Sequence, residues 1–179
     1  MDFRGLLTRL ADDFRSMEID YALIGGISLG FWGVSRATMD LDFLILDSDM
    51  EKAEKVLAEF GYKPFYKTAD VAQYSAEDPG VPVDVIIACR KYTHSMLEQA
   101  ETKSVEGSVI RVLRPEGLIG LKLQALYNNP DRERMDWADI EALLAGNKGL
   151  DWPRIEEYFL LFGKSDRFVQ LKEKHYADR

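Results

Sequence analysis

Asp40 and Asp42 stand one residue apart at the mouth of an apolar run, "LDFLIL" (41–46), and a third aspartate, Asp84, interrupts another, "VPVDVIIA" (81–88). Side chains alternate faces along a strand, so Asp40 and Asp42 point the same way while Leu41 and Phe43 point toward a core. Two like charges on one face repel unless a cation lies between them, and a hard divalent ion with oxygen ligands is the natural partner. Exposure of both acids at a strand end is the plain alternative. Asp84 adds weight to a metal site, because a lone carboxylate among β-branched neighbours costs several kcal/mol unless paired or metal-bound. Its alternatives are a solvent-facing place on an edge strand, which Pro82 suggests, or a pairing with an arginine. If the two strands are neighbours, three carboxylates converge.

Other readings of the acid pair fail on pattern. Phosphatases that use an aspartate nucleophile carry Asp-x-Asp after an apolar strand, and here the pair precedes one. A calcium loop would need an acid at 44 and glycine at 45, where Leu44 and Ile45 stand, although Glu51 would match. Neither a G-x-G-x-x-G nor a G-x-x-x-x-G-K-[ST] sequence is present. Gly25-Gly26 ends an earlier apolar run, where glycine lets backbone N–H groups approach a phosphate. The same pair also suits a plain turn. Ser28 can add a hydroxyl. Arg36 and Thr38 precede the acids, and Arg36 suits either a bidentate phosphate contact or a salt bridge to the carboxylates.

Lys122 interrupts the apolar run "LIGLKLQAL". It can snorkel to the surface or meet a triphosphate. Arg132, Asp136 and Asp139 fall at helical spacings, which favours an intrahelical ion pair with a capping role. His94 and His175 lack partners at metal or triad spacing and read as surface residues. Cys89 reads as a small core residue.

The elements that position these residues follow from periodicity. Leu6, Leu7, Leu10, Phe14 and Met17 share one face of a helix over 3–17. A strand over 20–25 ends in the glycine pair, 27–33 forms a short helix, and 41–46 is the strand behind the acids. Ser48 and Glu51 have capping-box spacing for a helix that Gly61 stops. Strands are expected over 62–66, 70–75, 81–88 and 108–113, with a helix over 92–100. From Pro115 the pattern turns helical, with helices to about Tyr127, from Asp131 to Leu144, over "DWPRIEEYFLLFG", and over 166–175. The plan is α+β: a small mixed sheet with flanking helices over residues 1–113, then a C-terminal helical region over 114–179.

The 179 residues, 46% hydrophobic and 30% charged, can build an ordinary globular core. No apolar run approaches the roughly 20 residues that span a bilayer. The N-terminal stretch reads as an amphipathic helix and not a signal peptide. With one cysteine there is no disulfide framework, and a cytoplasmic location is expected. A net charge of −8 argues against a broad nucleic-acid footprint but not against a nucleotide carried by metal.

Together these residues resemble the nucleotidyltransferase superfamily of the DNA polymerase β type. Its signature is an apolar residue and Gly-Gly or Gly-Ser, then Asp-apolar-Asp-apolar, then an Asp on a later strand. Here Ile24-Gly25-Gly26 is followed, after thirteen intervening residues, by Asp40-Leu41-Asp42-Phe43, and later by Asp84. "GGISLGFWGVSRATMDLDFLI" looks more narrowly like the branch of bacterial abortive-infection toxins of toxin–antitoxin systems and related stand-alone proteins. The stretch 115–144, with Lys122, Arg132, Asp136 and Asp139, looks like that branch's helical part. The resemblance covers roughly residues 15–145. It departs from the better-known members in carrying Gly26 where they often carry serine, so the phosphate contact falls to backbone N–H groups or Ser28.

The resemblance implies transfer of a nucleoside monophosphate from a nucleoside triphosphate such as ATP to a hydroxyl, with release of pyrophosphate. Asp40, Asp42 and Asp84 would hold two Mg²⁺ ions, or Mn²⁺, and Asp84 would help take the hydroxyl proton. Gly25, Gly26, Ser28, Arg36, Thr38 and Lys122 would meet the nucleotide. The acceptor (small molecule, protein or RNA) is not legible. A non-catalytic interaction module, such as a toxin–antitoxin partner, and a metal-dependent phosphoesterase remain as alternatives on the same fold.

Overall fold

A computed structural model describes residues 3–76, 80–129, 131 and 133–176. The chain divides into two compact units, residues 1–28 with 36–114, and residues 29–35 with 115–179.

The first unit is built on a mixed sheet of seven strands: β1 Tyr21–Ile24, β2 Leu41–Leu46, β3 Lys63–Lys67, β4 Val71–Ser75, β5 Val83–Ala88, β6 Glu101–Val105 and β7 Ser108–Val112. Their order across the sheet is β3-β4-β5-β2-β1-β7-β6. The pairs β2/β5 and β1/β7 are parallel and the other four antiparallel. Helices α1 Phe3–Ser16, α3 Met50–Glu59 and α4 Lys91–Glu98 accompany the sheet, and a short α2 Gly25–Gly30 follows β1 directly. Phe14 of α1, Tyr21 of β1 and Phe43 of β2 meet edge-to-face with centroids 5.1–6.0 Å apart. That cluster covers one sheet face with apolar area and leaves the other face of β2 and β5 for the acids.

Three expectations change. The strand holding Asp84 is not at an edge: β5 lies between β4 and β2. Pro82 is tolerated because it precedes the strand, where its carbonyl accepts from Leu41 N at 2.9 Å and no N–H is needed. The capping box at Ser48 does not form. Residues Asp47–Asp49 make a 3₁₀ turn, and α3 begins at Met50 with no side-chain cap. Asp49 instead accepts from Asp20 N at 2.9 Å and pairs with Lys52. Cys89 is exposed and not a core residue; its thiol donates to Asp70 at 3.3 Å.

Strand β6 is an addition to the elements that periodicity predicts. "ETKSV" carries little apolar signal because the strand is paired on one side only, by β7, and no position in it is buried. The two strands join at Glu106-Gly107, both at positive φ (51° and 90°), the geometry of a tight hairpin turn.

The second unit contains α5 Pro115–Asn128, α6 Glu133–Gly146, α7 Trp152–Leu161 and α8 Ser165–Tyr176. Asp151 caps α7 by accepting from Arg154 N at 3.1 Å. Lys122 Nζ donates to Asp136 at 3.2 Å and to Asp139 at 2.6 Å, and all three residues are buried. The two aspartates therefore face a neighbouring helix. Arg132, their expected partner, lies outside the described residues. Removing Lys122 would take a buried cation away from two buried carboxylates. Lys122→Met is expected to cost roughly 3–5 kcal/mol, read as a lower denaturant midpoint. A raised nucleotide KM at unchanged stability would instead give Lys122 a phosphate role. Among the described residues no helix is long and apolar enough to cross a membrane.

Candidate active site

Strands β2 and β5 run parallel in a register that sets Leu41 beside Val83, Asp42 beside Asp84 and Phe43 beside Val85. Equivalent residues on paired strands face the same side, so Asp42 and Asp84 share one face. Asp40, two residues before Asp42, shares it as well. One carboxylate oxygen from each of Asp40, Asp42 and Asp84 lies within 4.8 Å of the others, and all three residues are half-buried.

Such crowding is electrostatically uncomfortable. Burial pushes the Asp42 carboxyl up to about 7, with Asp40 and then Asp84 adding to the rise. The Gly26 N–H and the Arg36 guanidinium oppose it. Asp84 is raised too, mainly by burial, with Asp40 adding and a hydrogen bond from Gln73 opposing. Burial and mutual repulsion thus disfavour the charged forms of Asp42 and Asp84. Three hard oxygen donors that repel one another fit a hard divalent cation such as Mg²⁺ or Mn²⁺, which would relieve the repulsion.

The glycine turn sits against these acids. Ile24 at the end of β1 pairs with Asp42. Gly25 follows at φ +67°, and a side chain there would overlap the Asp42 carboxylate, with a Cβ only 2.6 Å from Asp42 Cβ. A Cβ at Gly26 would come within 2.7 Å of Thr38 Cβ. Thr38 donates its hydroxyl to Asp40 Oδ1. Both glycines are therefore required by the close approach of this turn to the strand mouth.

Among the residues expected at the site, Gly25, Gly26, Arg36 and Thr38 belong to the same unit as the three aspartates. Ser28 is fully buried, and its hydroxyl donates to Gly25 O at 2.7 Å, an i to i−3 bond within α2 that braces the glycine pair at its start. Lys122 belongs to the helical unit.

One residue at the site was not anticipated. Gln73 of β4 pairs with Asp84, and its Nε2 donates to Asp84 Oδ1 at 3.2 Å. In "VAQYS", Ala72 and Tyr74 are buried on one face and Gln73 takes the other. That alternation was visible in the sequence, but nothing in it said that β4 lies beside β5.

A family model described as an uncharacterised nucleotidyltransferase matches residues 3–161. No curated protein matches the sequence. Among solved structures, this chain is similar to ANT(2")-Ia in complex with adenylyl-2"-tobramycin, at 12% identity and TM-score 0.67, covering 94% of this chain and 99% of that one. It is similar to an antigenic nucleotidyltransferase-like protein from Paracoccidioides brasiliensis, at 18% identity and TM-score 0.60, covering 95% and 91%. It is also similar to the lincosamide antibiotic adenylyltransferase LnuA, lincomycin-bound, at 16% identity and TM-score 0.56, covering 80% and 97%. At such identities the likeness is one of fold.

Proposed function

This chain belongs to the nucleotidyltransferase family whose model it matches, and from that premise we propose that it transfers a nucleoside monophosphate from a nucleoside triphosphate to a hydroxyl acceptor, releasing pyrophosphate. The observation that carries the reading is the convergence of Asp40, Asp42 and Asp84, with oxygens within 4.8 Å of one another, beside a glycine turn that packs on Asp42.

Each residue has a part that its surroundings suit. Asp40 and Asp42 would hold the metal and Asp84 would complete its site nearest the acceptor, with Asp40 oriented by Thr38 and Asp42 by the Gly26 N–H. Two divalent ions bound there would stabilise the attacking and leaving oxygens of an in-line displacement. The triphosphate lies along the Gly25–Gly26 turn, and Arg36, whose charge already acts on Asp42, offsets its negative charge. Ser28 supports that turn from beneath, through its bond to Gly25 O. Asp84 accepts the proton of the acceptor hydroxyl at a carboxylate oxygen as that hydroxyl attacks the α-phosphorus. Its raised pKa moves it toward the value a general base needs at neutral pH. The bond from the α-phosphorus to the bridging oxygen breaks, and pyrophosphate leaves with the electron pair.

Two of the similar structures hold an adenylylated antibiotic or an antibiotic, so small hydroxylated compounds are the first acceptors to test, and ATP the first donor. The cytoplasm supplies both a triphosphate and Mg²⁺. Incubating the protein with each α-labelled triphosphate, Mg²⁺ or Mn²⁺, and an acceptor panel is expected to move label from triphosphate to acceptor. Release of inorganic phosphate without a labelled acceptor would replace transfer by hydrolysis. Calorimetry with no triphosphate binding at millimolar ligand would leave a non-catalytic module.

A further inference from the structure

Beyond the three carboxylates, the front of the sheet carries a continuous row. Tyr66 of β3 pairs with Gln73 of β4, Gln73 with Asp84 of β5, and Asp84 with Asp42 of β2. Within it Gln73 is the only one of these residues whose side chain carries a neutral amide, and that amide donates to Asp84 at 3.2 Å. We propose that Gln73 is a positioning residue that orients the Asp84 carboxylate for metal, so that the ion site depends on four side chains and not three.

The direction of the bond is set by chemistry. An amide oxygen facing a carboxylate would oppose like partial charges, so the nitrogen faces it. One donated hydrogen bond limits rotation of the carboxylate plane. It does not exhaust ligation capacity, because each carboxylate oxygen accepts in more than one direction. The donor's neutrality also matters. A lysine or arginine there would orient Asp84 equally well, but its charge would compete with a divalent ion for the same oxygens. An amide orients without competing and keeps its proton at every working pH.

The strand beneath Gln73 is held firmly from behind. Ala72 and Tyr74, its neighbours in β4, are buried on the opposite face, and Tyr74 donates its hydroxyl to Glu54 of α3 at 3.1 Å. Gln73 therefore projects from a fixed backbone, which a positioning group needs. Tyr66, at the row's outer end, is 51% exposed. It belongs to the same row but has no bond to the acids, which makes it a fair control.

Mn²⁺ binding measured by the electron paramagnetic resonance of free ion, without nucleotide, tests the role. Gln73→Met keeps the length and removes the donor. It is expected to weaken Mn²⁺ binding about tenfold, in line with what loss of an outer-shell partner costs, with the metal-free melting temperature unchanged. Tyr66→Ser is expected to bind Mn²⁺ like the parent. In transfer assays, which rest on the reaction proposed above, Gln73→Met is expected to lower kcat at a nucleotide KM close to the parent's. Parent-like Mn²⁺ affinity in Gln73→Met overturns the role. So does an equal loss in Tyr66→Ser, which would mean a general disturbance of the sheet, and so does a parent that binds no Mn²⁺. If Mn²⁺ binding weakens as expected but the parent labels no acceptor, Gln73 keeps its role and the transfer reaction fails alone.

Discussion

Asp42→Ala and Asp84→Ala are each expected to lower metal-dependent nucleotide transfer by about 10³-fold or more, while the far-UV circular dichroism stays that of the parent. Both residues lie half-buried on one face of the β2/β5 pair, so either truncation removes an ion ligand without opening the apolar cluster behind. Parent activity in both variants would end the assignment of the site. The same residues predict a pH effect on the metal-free protein. Asp42 titrates near about 7 in the fold, against 3.8 for an ordinary aspartate. The folded state thus holds the proton more tightly than the unfolded chain. The stability this contributes is fully present below pH 3.8 and is lost as pH rises through about 7. Raising pH from about 6 to 8 should therefore lower the metal-free melting temperature, and Mg²⁺ should restore it. Asp42→Asn, which cannot ionise, should show a smaller drop over that interval. An equal drop in variant and parent would show that Asp42 does not carry the effect.

Gly25→Ala is expected to abolish both Mn²⁺ binding and transfer. A left-handed residue with a Cβ costs about 1–2 kcal/mol in backbone energy alone. The larger effect is local, since the new methyl would occupy the place of the Asp42 carboxylate. Either the turn or the acid must move, and each movement dismantles the cluster. Gly30, at the end of the same short helix, is exposed, and a Cβ there would meet nothing within 4 Å. Its φ is not positive. Gly30→Ala is therefore expected to fold and bind Mn²⁺ as the parent does. A Gly25→Ala protein with parent affinity would mean that the turn and the acids are not coupled.

The chemistry was written more plainly in the sequence than its support was. Asp40, Asp42 and Asp84 stood out because each breaks or opens an apolar run, and a carboxylate in such a place needs a partner. Strands with buried faces were legible for the same reason, as β2 shows by starting and ending where its apolar run does. The polar edge strand β6 was not legible, because solvent takes one side of it and leaves no pattern. Ser48 has the spacing of a cap, but that spacing says nothing of the 3₁₀ turn that displaces the helix start. Pro82 suggested an edge, although one residue's shift put it outside the ladder.

Residue types and spacing by themselves marked three acids, a glycine pair and an arginine as candidates for one chemistry, because the cost of a buried charge and the alternation of a strand are local properties. Only the tertiary structure decided that β5 lies parallel to β2 with Asp84 level with Asp42. It alone put Gln73 beside Asp84 and turned Gly25 from a flexible joint into a space that Asp42 fills. Strand order and register are set by contacts between residues far apart in the chain, and no window along the sequence contains both partners.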